Sequence, residues 1–459
     1  METDILQKTN FFFIGVGGAG MSAIAQYLAG NGKTVKGSDR LFAYDENEYI
    51  KQQLEKENIQ CYPQDGSGID EHTEAVIIST AIEDTNIEIA KAKALNIPVI
   101  IRAELLAEIC ASKRTIAIAG TSGKSTTTAM LFHILYENGI SPSLITGAGL
   151  VSLQKDGGIG NAYCGKSEWL LMEADESDGT IVKYKPEIGL LLSIDKDHKE
   201  LSELNDIFQT FKGNTKKHFI VNHAHLLAKN FSCGNGKDFG EGTSLHGYNF
   251  VQRGFEIRFD VQGIHFTVPT IGRHNMENAL ACVAVACMLG VTIQQCANAL
   301  KTYGGIYRRH QLLGVYNGIS VIDDYAHNPA KIAASIKACQ PIAAKLVAWF
   351  QPHGYGPTRF IRNELVEEIA ASLRPGDEIW MSEIYYAGGT AVKDISANDL
   401  INDLKAKGVH AFFVEDRNIL FEEMVPTLES ETVLLLMGAR DPGLEKFAGE
   451  VWRRVNSKK

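Results

Sequence analysis

The 459-residue chain is short of three things that sort proteins into classes: paired cysteines, long apolar runs and positive charge. Its eight cysteines (Cys61, Cys110, Cys164, Cys233, Cys282, Cys287, Cys296 and Cys339) are scattered, with no C-x-x-C pair. That excludes a zinc ribbon or a thioredoxin-type centre, and their mostly apolar surroundings predict buried, reduced thiols in a cytoplasmic protein. No apolar run approaches the ~18–20 residues of a membrane span, so no membrane partner is expected; the opening Met-Glu-Thr-Asp lacks the positive n-region of a signal peptide. A formal net charge of −10 argues against nucleic acid as a partner, because phosphate backbones require a basic face. What remains is an ordinary globular composition, 45% hydrophobic and 22% charged, long enough for two or three domains.

Apolar strand-like runs alternate with amphipathic helix-like runs in three stretches, the α/β pattern of parallel sheets covered by helices. The first stretch predicts strands at 11–14, 34–38, 74–79 and 98–101, with a helix over 21–29. The second predicts strands at 115–119, 169–172, 188–194 and 218–221, and helices from 124 to about 138 and over 276–289 and 293–301. Between 255 and 268 the apolar period changes to two around Gln262-Gly263, which predicts an inserted hairpin. The third predicts strands at 320–322, 345–350, 378–381, 411–414 and 432–436. These shifts of pattern divide the chain into domains at 1–108, 109–313 and 314–459.

Two glycine loops carry the chemistry. The first, Gly15-Val-Gly-Gly-Ala-Gly20, follows a strand, opens a helix and precedes Asp39 by nineteen residues. That is the layout of a dinucleotide fold, in which the acid reaches a ribose hydroxyl. The pattern alone leaves NAD(P), another nucleotide or a tight structural turn open. The second loop, Gly120-Thr-Ser-Gly-Lys-Ser125, ends a strand and opens a helix; Ile118 stands where the common phosphate loop has its first glycine. Glycine amides cradle phosphate oxygens, lysine neutralises the terminal phosphates and the hydroxyl suits Mg²⁺. Two loops of different type point to an enzyme that binds ATP and a second, nucleotide-bearing substrate.

The run Glu173-Ala-Asp-Glu-Ser-Asp178 closes a strand of the same predicted sheet, a natural place for Mg²⁺ beside a phosphate loop. Its other acids read as setting the local field. His198, in Asp195-Lys-Asp-His-Lys-Glu200, reads equally as a ligand or as part of a solvated turn. Asn275 in Gly272-Arg-His-Asn275 is a natural N-cap, and its amide also suits adenine. Arg308-Arg309-His310 and Asp323-Asp-Tyr-Ala-His327 flank the start of the third domain, as in a hinge that closes over phosphates.

Taken in order, these motifs resemble the Mur ligases of peptidoglycan synthesis. The resemblance spans nearly the whole chain, adding Gly37-Ser-Asp39, Gln311-Leu-Leu-Gly314, Phe350-Gln-Pro-His353 and Met437-Gly-Ala439. It is strongest to the members that join L-alanine to UDP-N-acetylmuramate. It implies three domains: an N-terminal Rossmann-like UDP-binding domain, a central P-loop ATPase domain with an inserted hairpin, and a C-terminal Rossmann-like domain. It also implies ATP, Mg²⁺, small-molecule substrates (UDP-N-acetylmuramate and an amino acid) and a monomer or homodimer. UDP is then held by Gly15, Gly17, Gly18, Ala19, Gly20, Met21, Ser22, Ser38, Asp39, Ser79 and Thr80. ATP is held by Gly120, Thr121, Ser122, Gly123, Lys124, Ser125 and Thr126, with His274 and Asn275 at the adenine and Asp324 at the ribose. Ser125 and Glu173 hold one Mg²⁺ and His198 a second. Arg309 meets the transferred phosphoryl group, and His327 lies towards the amino acid.

The chain also departs from the family pattern. Ser122 and Ser125 replace a histidine and a threonine, and His327-Asn328-Pro329 replaces His-His-Pro. Where the family has an arginine directly after the histidine of Phe350-Gln-Pro-His353, this chain has Gly354, and Arg359 comes late. Those arginines help to bind substrate in the family. Their rearrangement makes a member that attaches a recycled peptide, or another amino acid, the alternative reading.

Overall fold

The computed structural model describes residues 5–43, 48–154, 158–177, 179–195, 200–386 and 392–457. Chain contacts divide it into two compact units: Met1–Phe250, Phe259–Pro269 and His274–Ile306 form one, and Val251–Arg258, Thr270–Arg273 and Tyr307–Lys459 the other.

The first unit holds two sheets. β1 (Asn10–Ile14) is the centre of a five-stranded sheet because Phe11, Phe12, Phe13 and Ile14 are all within 1% of full burial. Each such side chain contributes roughly 1.5–3 kcal/mol, and an unbroken apolar run suits a strand covered on both faces. With β2 (Thr34–Asp39), β3 (Ile59–Pro63), β4 (Ala75–Ile78) and β5 (Val99–Ile101), the order is β3-β2-β1-β4-β5, all parallel. The glycine loop therefore leaves β1 where the strand order reverses, the switch point at which such sheets bind ligands.

The second sheet of this unit comprises β6 (Arg114–Ala119), β7 (Ser143–Ile145), β8 (Ala162–Tyr163), β9 (Trp169–Ala174), β10 (Ile188–Leu191) and β11 (His218–Val221), in the order β11-β10-β6-β9-β7-β8. Only β8 runs antiparallel to its neighbour. β6 and β9 lie side by side in parallel, so the second glycine loop and the acidic run leave the same edge. The core is continuous between the two sheets, from Phe11 and Phe13 through Ile24 and Leu28 to Ala117, Met172 and Phe211.

The predicted hairpin is present but extended. β13 (Glu256–Val261) and β14 (Ile264–Val268) turn at Gln262 (φ 47°) and Gly263 (φ 82°), the doubly positive turn that suits a right-twisted hairpin. A third strand, β12 (Tyr248–Arg253), joins β13. Its side chains are mostly exposed, so no apolar alternation marked it in the sequence.

In the second unit, β15 (Gln311–Tyr316), β16 (Ile319–Asp324), β17 (Lys345–Gln351), β18 (Glu378–Ser382), β19 (His410–Val414) and β20 (Thr432–Gly438) follow the order β15-β16-β20-β17-β18-β19. β15 is an antiparallel edge strand with a register shift at Leu312/Gly314. Separate apolar clusters cover the two faces, one around Phe350 and Met381, the other around Trp349 and Phe447.

All eight cysteines are free thiols; four are buried, Cys61 and Cys164 are half-buried, and Cys233 and Cys287 are exposed. The expectation of buried thiols thus fails at Cys233, in a polar loop, and at Cys287, near the end of the helix His274–Met288. No helix among the described residues is long and apolar enough to cross a membrane.

Candidate functional site

The first glycine loop is fastened to the end of β2. Gly15 (φ 80°) and Val16 donate backbone bonds to the Ser38 carbonyl at 2.7 and 2.9 Å, and Gly17 donates to Asp39 Oδ2 at 3.1 Å. A Cβ on Gly17 would lie 2.9 Å from that carboxylate oxygen, so the acid and the bare glycine require each other. Asp39 Oδ1 accepts from Leu41 N at 3.0 Å. Ser38 is fully buried and donates its hydroxyl to Glu88 Oε2 at 2.6 Å. Burial raises the Glu88 carboxyl above the usual range, against the opposing Ser38 bond. Gly18 caps the helix Ala19–Gly30, whose Met21 and Ser22 are buried, while Ser79 is half-buried and Thr80 exposed. A Cβ on Gly20 would stand 3.1 Å from an Arg102 guanidinium nitrogen. That cation belongs to no motif of the sequence, although it directly follows the end of β5.

At the second loop the glycines are again steric necessities. Gly120 (φ 133°) would place a Cβ 2.9 Å from Ser193 N, and Gly123 (φ 84°) one 2.7 Å from Asn278 Oδ1. Thr121 N donates to the Ser193 carbonyl at 3.1 Å, and Ser122 N to the Ser193 hydroxyl at 3.0 Å. Lys124 opens the helix Lys124–Glu137, and its Nζ donates to the Gly120 carbonyl at 2.7 Å and to Glu176 Oε2 at 2.8 Å. Asp175 Oδ1 lies 3.6 Å from the same nitrogen. Burial disfavours the Lys124 ammonium, but Glu176 and Asp175 outweigh it and hold the pKa above the ordinary lysine value. Partial desolvation raises the Asp175 carboxyl, but Lys124 and the Ser177 bonds prevail and lower it.

Ser125 donates to Glu173 Oε2 at 3.0 Å, and the other oxygen of Glu173 accepts from the Thr146 hydroxyl and from Gly147 N. Thr126 is half-buried, while Thr127 donates to Asn278 Oδ1 at 3.2 Å. Asn278 Nδ2 in turn donates to Asn275 Oδ1 at 2.9 Å.

Asn275 is therefore not an N-cap. The helix begins at His274, so Asn275 lies inside its first turn, buried, and its amide oxygen serves another side chain. The turn at Gly272 (φ 89°), held by Gln252 Oε1 at 2.8 Å, starts the helix earlier than the apolar pattern does. His274 is exposed. His198 and Asp178 lie outside the described residues. Asp195, three positions before His198, accepts from Thr121 at 3.2 Å and lies 3.3 Å from His225 Nε2; its carboxyl is lowered first by the His225 bond. Neither Asp195 nor His225 was singled out by motif.

In the second unit the two charged runs pair with one another. Arg308 Nε donates to Asp323 Oδ2 at 2.9 Å and Nη2 to the Gly438 carbonyl at 3.0 Å. Asp324 is 4% exposed and accepts from His310 N and Ala326 N, both at 2.7 Å. Burial alone would raise Asp324, but His310 and Arg309 beside it bring its carboxyl below the usual range. Burial pushes Asp323 up to about 6 despite Arg308. Arg308 (φ 54°) and His310 (φ 46°) are both left-handed, and between them the Arg309 guanidinium lies 5.2 Å from the Tyr325 ring centroid.

His327 Nδ1 lies 2.9 Å from the Tyr325 carbonyl. A carbonyl only accepts, so Nδ1 carries the proton and Nε2 is the acceptor. Burial lowers His327 to about 4, and its ring meets His353 at 5.8 Å between centroids.

The altered segment opens the helix Tyr355–Ser372 from Gly354 (φ 71°). Arg359 is paired with Asp394, and Phe360 is 90% exposed. The Lys393 ammonium stands 5.8 Å from the Tyr355 ring and 5.4 Å from that of Tyr386.

Comparison with known proteins gives one answer along the chain. Residues 10–114 match the model of the Mur ligase family, catalytic domain; 118–286 match the Mur ligase middle domain; and 308–440 match the Mur ligase, glutamate ligase domain. A UDP-N-acetylmuramate–L-alanine ligase of Geobacter sulfurreducens is 32% identical over 96% of this chain and 95% of that protein. One from Geotalea daltonii is 34% identical over 93% and 94%. Among solved structures, the UDP-N-acetylmuramate–alanine ligase of Thermotoga maritima superposes with a TM-score of 0.81 at 25% identity, covering 98% of this chain and all of that one. A murein peptide ligase of Psychrobacter arcticus shares the fold, with a TM-score of 0.66 at 18% identity over 98% and 99%.

Proposed function

The chain belongs to the Mur ligase family, and from that premise we propose that it joins L-alanine to UDP-N-acetylmuramate at the expense of ATP in peptidoglycan precursor synthesis. The observation that carries the reading is the Lys124–Ser125 pair at the helix start. Lys124 is held as an ammonium by Glu176 and Asp175, and Ser125 is bonded to Glu173. In this reading the domains are 1–108 for the UDP-sugar, 109–313 for ATP and 314–459 for completing ligation, in a cytoplasmic monomer or homodimer.

The chemistry follows from the poor reactivity of a carboxylate towards amines. Its lactyl oxygen attacks the γ-phosphorus of ATP, the bond to the bridging oxygen breaks, and an acyl phosphate and ADP form. The amine then adds to the acyl carbon, the tetrahedral intermediate expels phosphate, and an amide remains. Lys124 and Arg309 are the proposed cations for the phosphoryl oxygens in transit. The Ser125 hydroxyl and Glu173 carboxylate, 3.0 Å apart, are hard oxygen donors of the kind that bind Mg²⁺ together with phosphate and water, so these residues fit the ion. When bound, Mg²⁺ supplies charge neutralisation at the β- and γ-phosphates; His198 is the proposed residue for a second ion. His274 and Asn275 are assigned to the adenine end. Asp324, which accepts from His310 N, is assigned to the ATP ribose. His327, neutral at pH 7, offers Nε2 as an acceptor for the incoming amine.

One observation favours a second reading, ligation of a recycled peptide or of another amino acid. Gly354 replaces a cation, Arg359 is tied to Asp394, and Lys393 beside Tyr355 and Tyr386 is the cation next to the altered segment. Phosphate release with Mg-ATP and UDP-N-acetylmuramate separates the two when L-alanine is compared with glycine, L-serine and the recycled tripeptide. Release with L-alanine, with a product heavier by one alanine residue, supports the first reading. Release with the tripeptide alone replaces it by the second.

A further inference from the structure

Asn161, a residue outside every motif, bonds directly to the helix start of the first glycine loop and reaches the Glu173 edge beside the second loop through Thr146. It is 1% exposed and lies just before β8. Its Nδ2 donates to the Ala19 carbonyl at 2.8 Å and to the Ser22 hydroxyl at 2.9 Å, both in the first turn of the helix that leaves the first glycine loop. Its Oδ1 accepts from Gln26 Nε2 at 2.8 Å, one turn further along that helix. Every hydrogen-bonding atom of the amide is thus committed to the helix Ala19–Gly30. Its backbone faces the other way: the Asn161 carbonyl accepts from Thr146 N at 3.0 Å, and the Thr146 hydroxyl and neighbouring Gly147 N hold Glu173 Oε1. The opposite oxygen of Glu173 holds Ser125.

A single buried residue therefore connects the helix start proposed for UDP to the carboxylate edge proposed for the phosphates of ATP. Thr146 is 3% exposed and Ser22 1%, so water does not compete for these bonds. A buried amide that satisfies all its partners fixes geometry, because any displacement strands a polar group.

We propose that Asn161 is a positioning residue for phosphoryl transfer: it sets the register between the first glycine loop and the Ser125–Glu173 edge, and so the place at which the sugar's carboxylate meets the γ-phosphate. The inference rests on the substrate reading above. Anchoring the UDP end of a long substrate determines where its other end arrives, and an error of about 1 Å in an attacking atom costs on the order of 100-fold in rate.

The test measures Asn161→Ala and Asn161→Asp against the unaltered chain. Asn161→Asp preserves the shape and the acceptor for Gln26 but lacks the two donors. Titrations give the Kd for UDP-N-acetylmuramate and for Mg²⁺ with a non-hydrolysable ATP analogue, and steady-state phosphate release gives kcat per folded molecule. The expected result is a kcat about 100-fold lower in Asn161→Ala and lower in Asn161→Asp, with both Kd values within about threefold of the unaltered chain. A kcat within threefold in the folded variants overturns the proposal and leaves Asn161 a packing residue. If Asn161→Ala does not fold, Asn161→Asp decides alone by the same criterion. If the unaltered chain does not bind UDP-N-acetylmuramate, the substrate reading fails and the inference with it. Binding without altered kcat sinks only the inference.

Discussion

The Nζ of Lys124 lies 2.8 Å from Glu176 Oε2, and the two side chains are 14% and 7% exposed. A phosphate-loop lysine thus has a buried carboxylate partner from the acidic run, while the neighbouring Glu173 serves Ser125. Two acids three positions apart have separate tasks, one for the cation and one for the hydroxyl.

Removing one member of such a pair takes from the other its nearest opposite charge, leaving Lys124 only the more distant Asp175 at 3.6 Å. Glu176→Gln is expected to lower unfolding stability by about 3 kcal/mol, read from urea midpoints. A Lys124→Met/Glu176→Leu double variant should recover part of that loss although it is inactive. Equal stability of the Glu176→Gln and unaltered chains would show that the pair is not held as described.

Lys124→Ala should abolish phosphate release and leave UDP-N-acetylmuramate binding within about threefold, since the lysine belongs to the second loop. Parallel activity and titration measurements check this. Loss of both would contradict the assignment of separate loops to the two ligands.

Gly123→Ala combines a left-handed φ of 84° with a Cβ 2.7 Å from Asn278 Oδ1. The backbone cost alone is about 1–2 kcal/mol, and the clash displaces the amide that Thr127 and Asn275 share with it. A lower Tm together with lost ATP-analogue binding is expected; an unchanged Tm would refute the steric argument.

His327 titrates near 4 in the folded chain because of burial, against about 6.5 unfolded. A base whose folded pKa is depressed binds fewer protons than the unfolded chain between those values. Its contribution to stability is therefore full above about 6.5 and is lost as pH falls towards 4. Asp323, raised to about 6 by burial, works in the opposite sense: its contribution fades as pH rises from about 3.9 to 6. The clean measurement is a difference between variants. Between pH 7.5 and 5, His327→Gln should lose less stability than the unaltered chain, and an equal loss would contradict the half-buried, neutral imidazole.

Lys393→Met tests the altered segment more safely than Gly354→Arg, because Gly354 has φ 71° and any side chain there is strained. A KM for amine or UDP-sugar raised about tenfold, with the KM for ATP within twofold, is expected. Unchanged constants would remove Lys393 from substrate recognition.

The sheets and both glycine loops were legible because buried parallel strands are unbroken apolar runs and because φ-positive glycines beside a helix start leave a written pattern. The edge strands β3, β8, β12 and β15 were not: their side chains are half-exposed or short of apolar content, so periodicity is silent; β7 is buried but only three residues long, too short to show a run. Within the site, sequence found Lys124, Ser125 and Glu173 but not the partition of Glu173 and Glu176 between them, which depends on the direction of Glu173 on β9 and on the turn that follows the strand. Arg102, Asp195 and Asn161 were invisible for a related reason: each acts through a neighbour brought close only by folding. Asn275 was misread because capping rules locate a helix start only as well as the apolar pattern does.

The left-handed residues on either side of Arg309 have a consequence for design. Glycine would relax both positions, and a calculation that scores backbone comfort would choose it. Yet the Arg308 side chain is fastened at Asp323 and Gly438, and the His310 ring lies 3.7 Å from Asp324, so each strained residue is also a rivet. Substituting glycine trades a local torsional gain for a freer unfolded chain and a slackened arginine. Positions at which torsional comfort and chemical utility disagree are where a sequence optimised for thermal endurance would cease to be an enzyme.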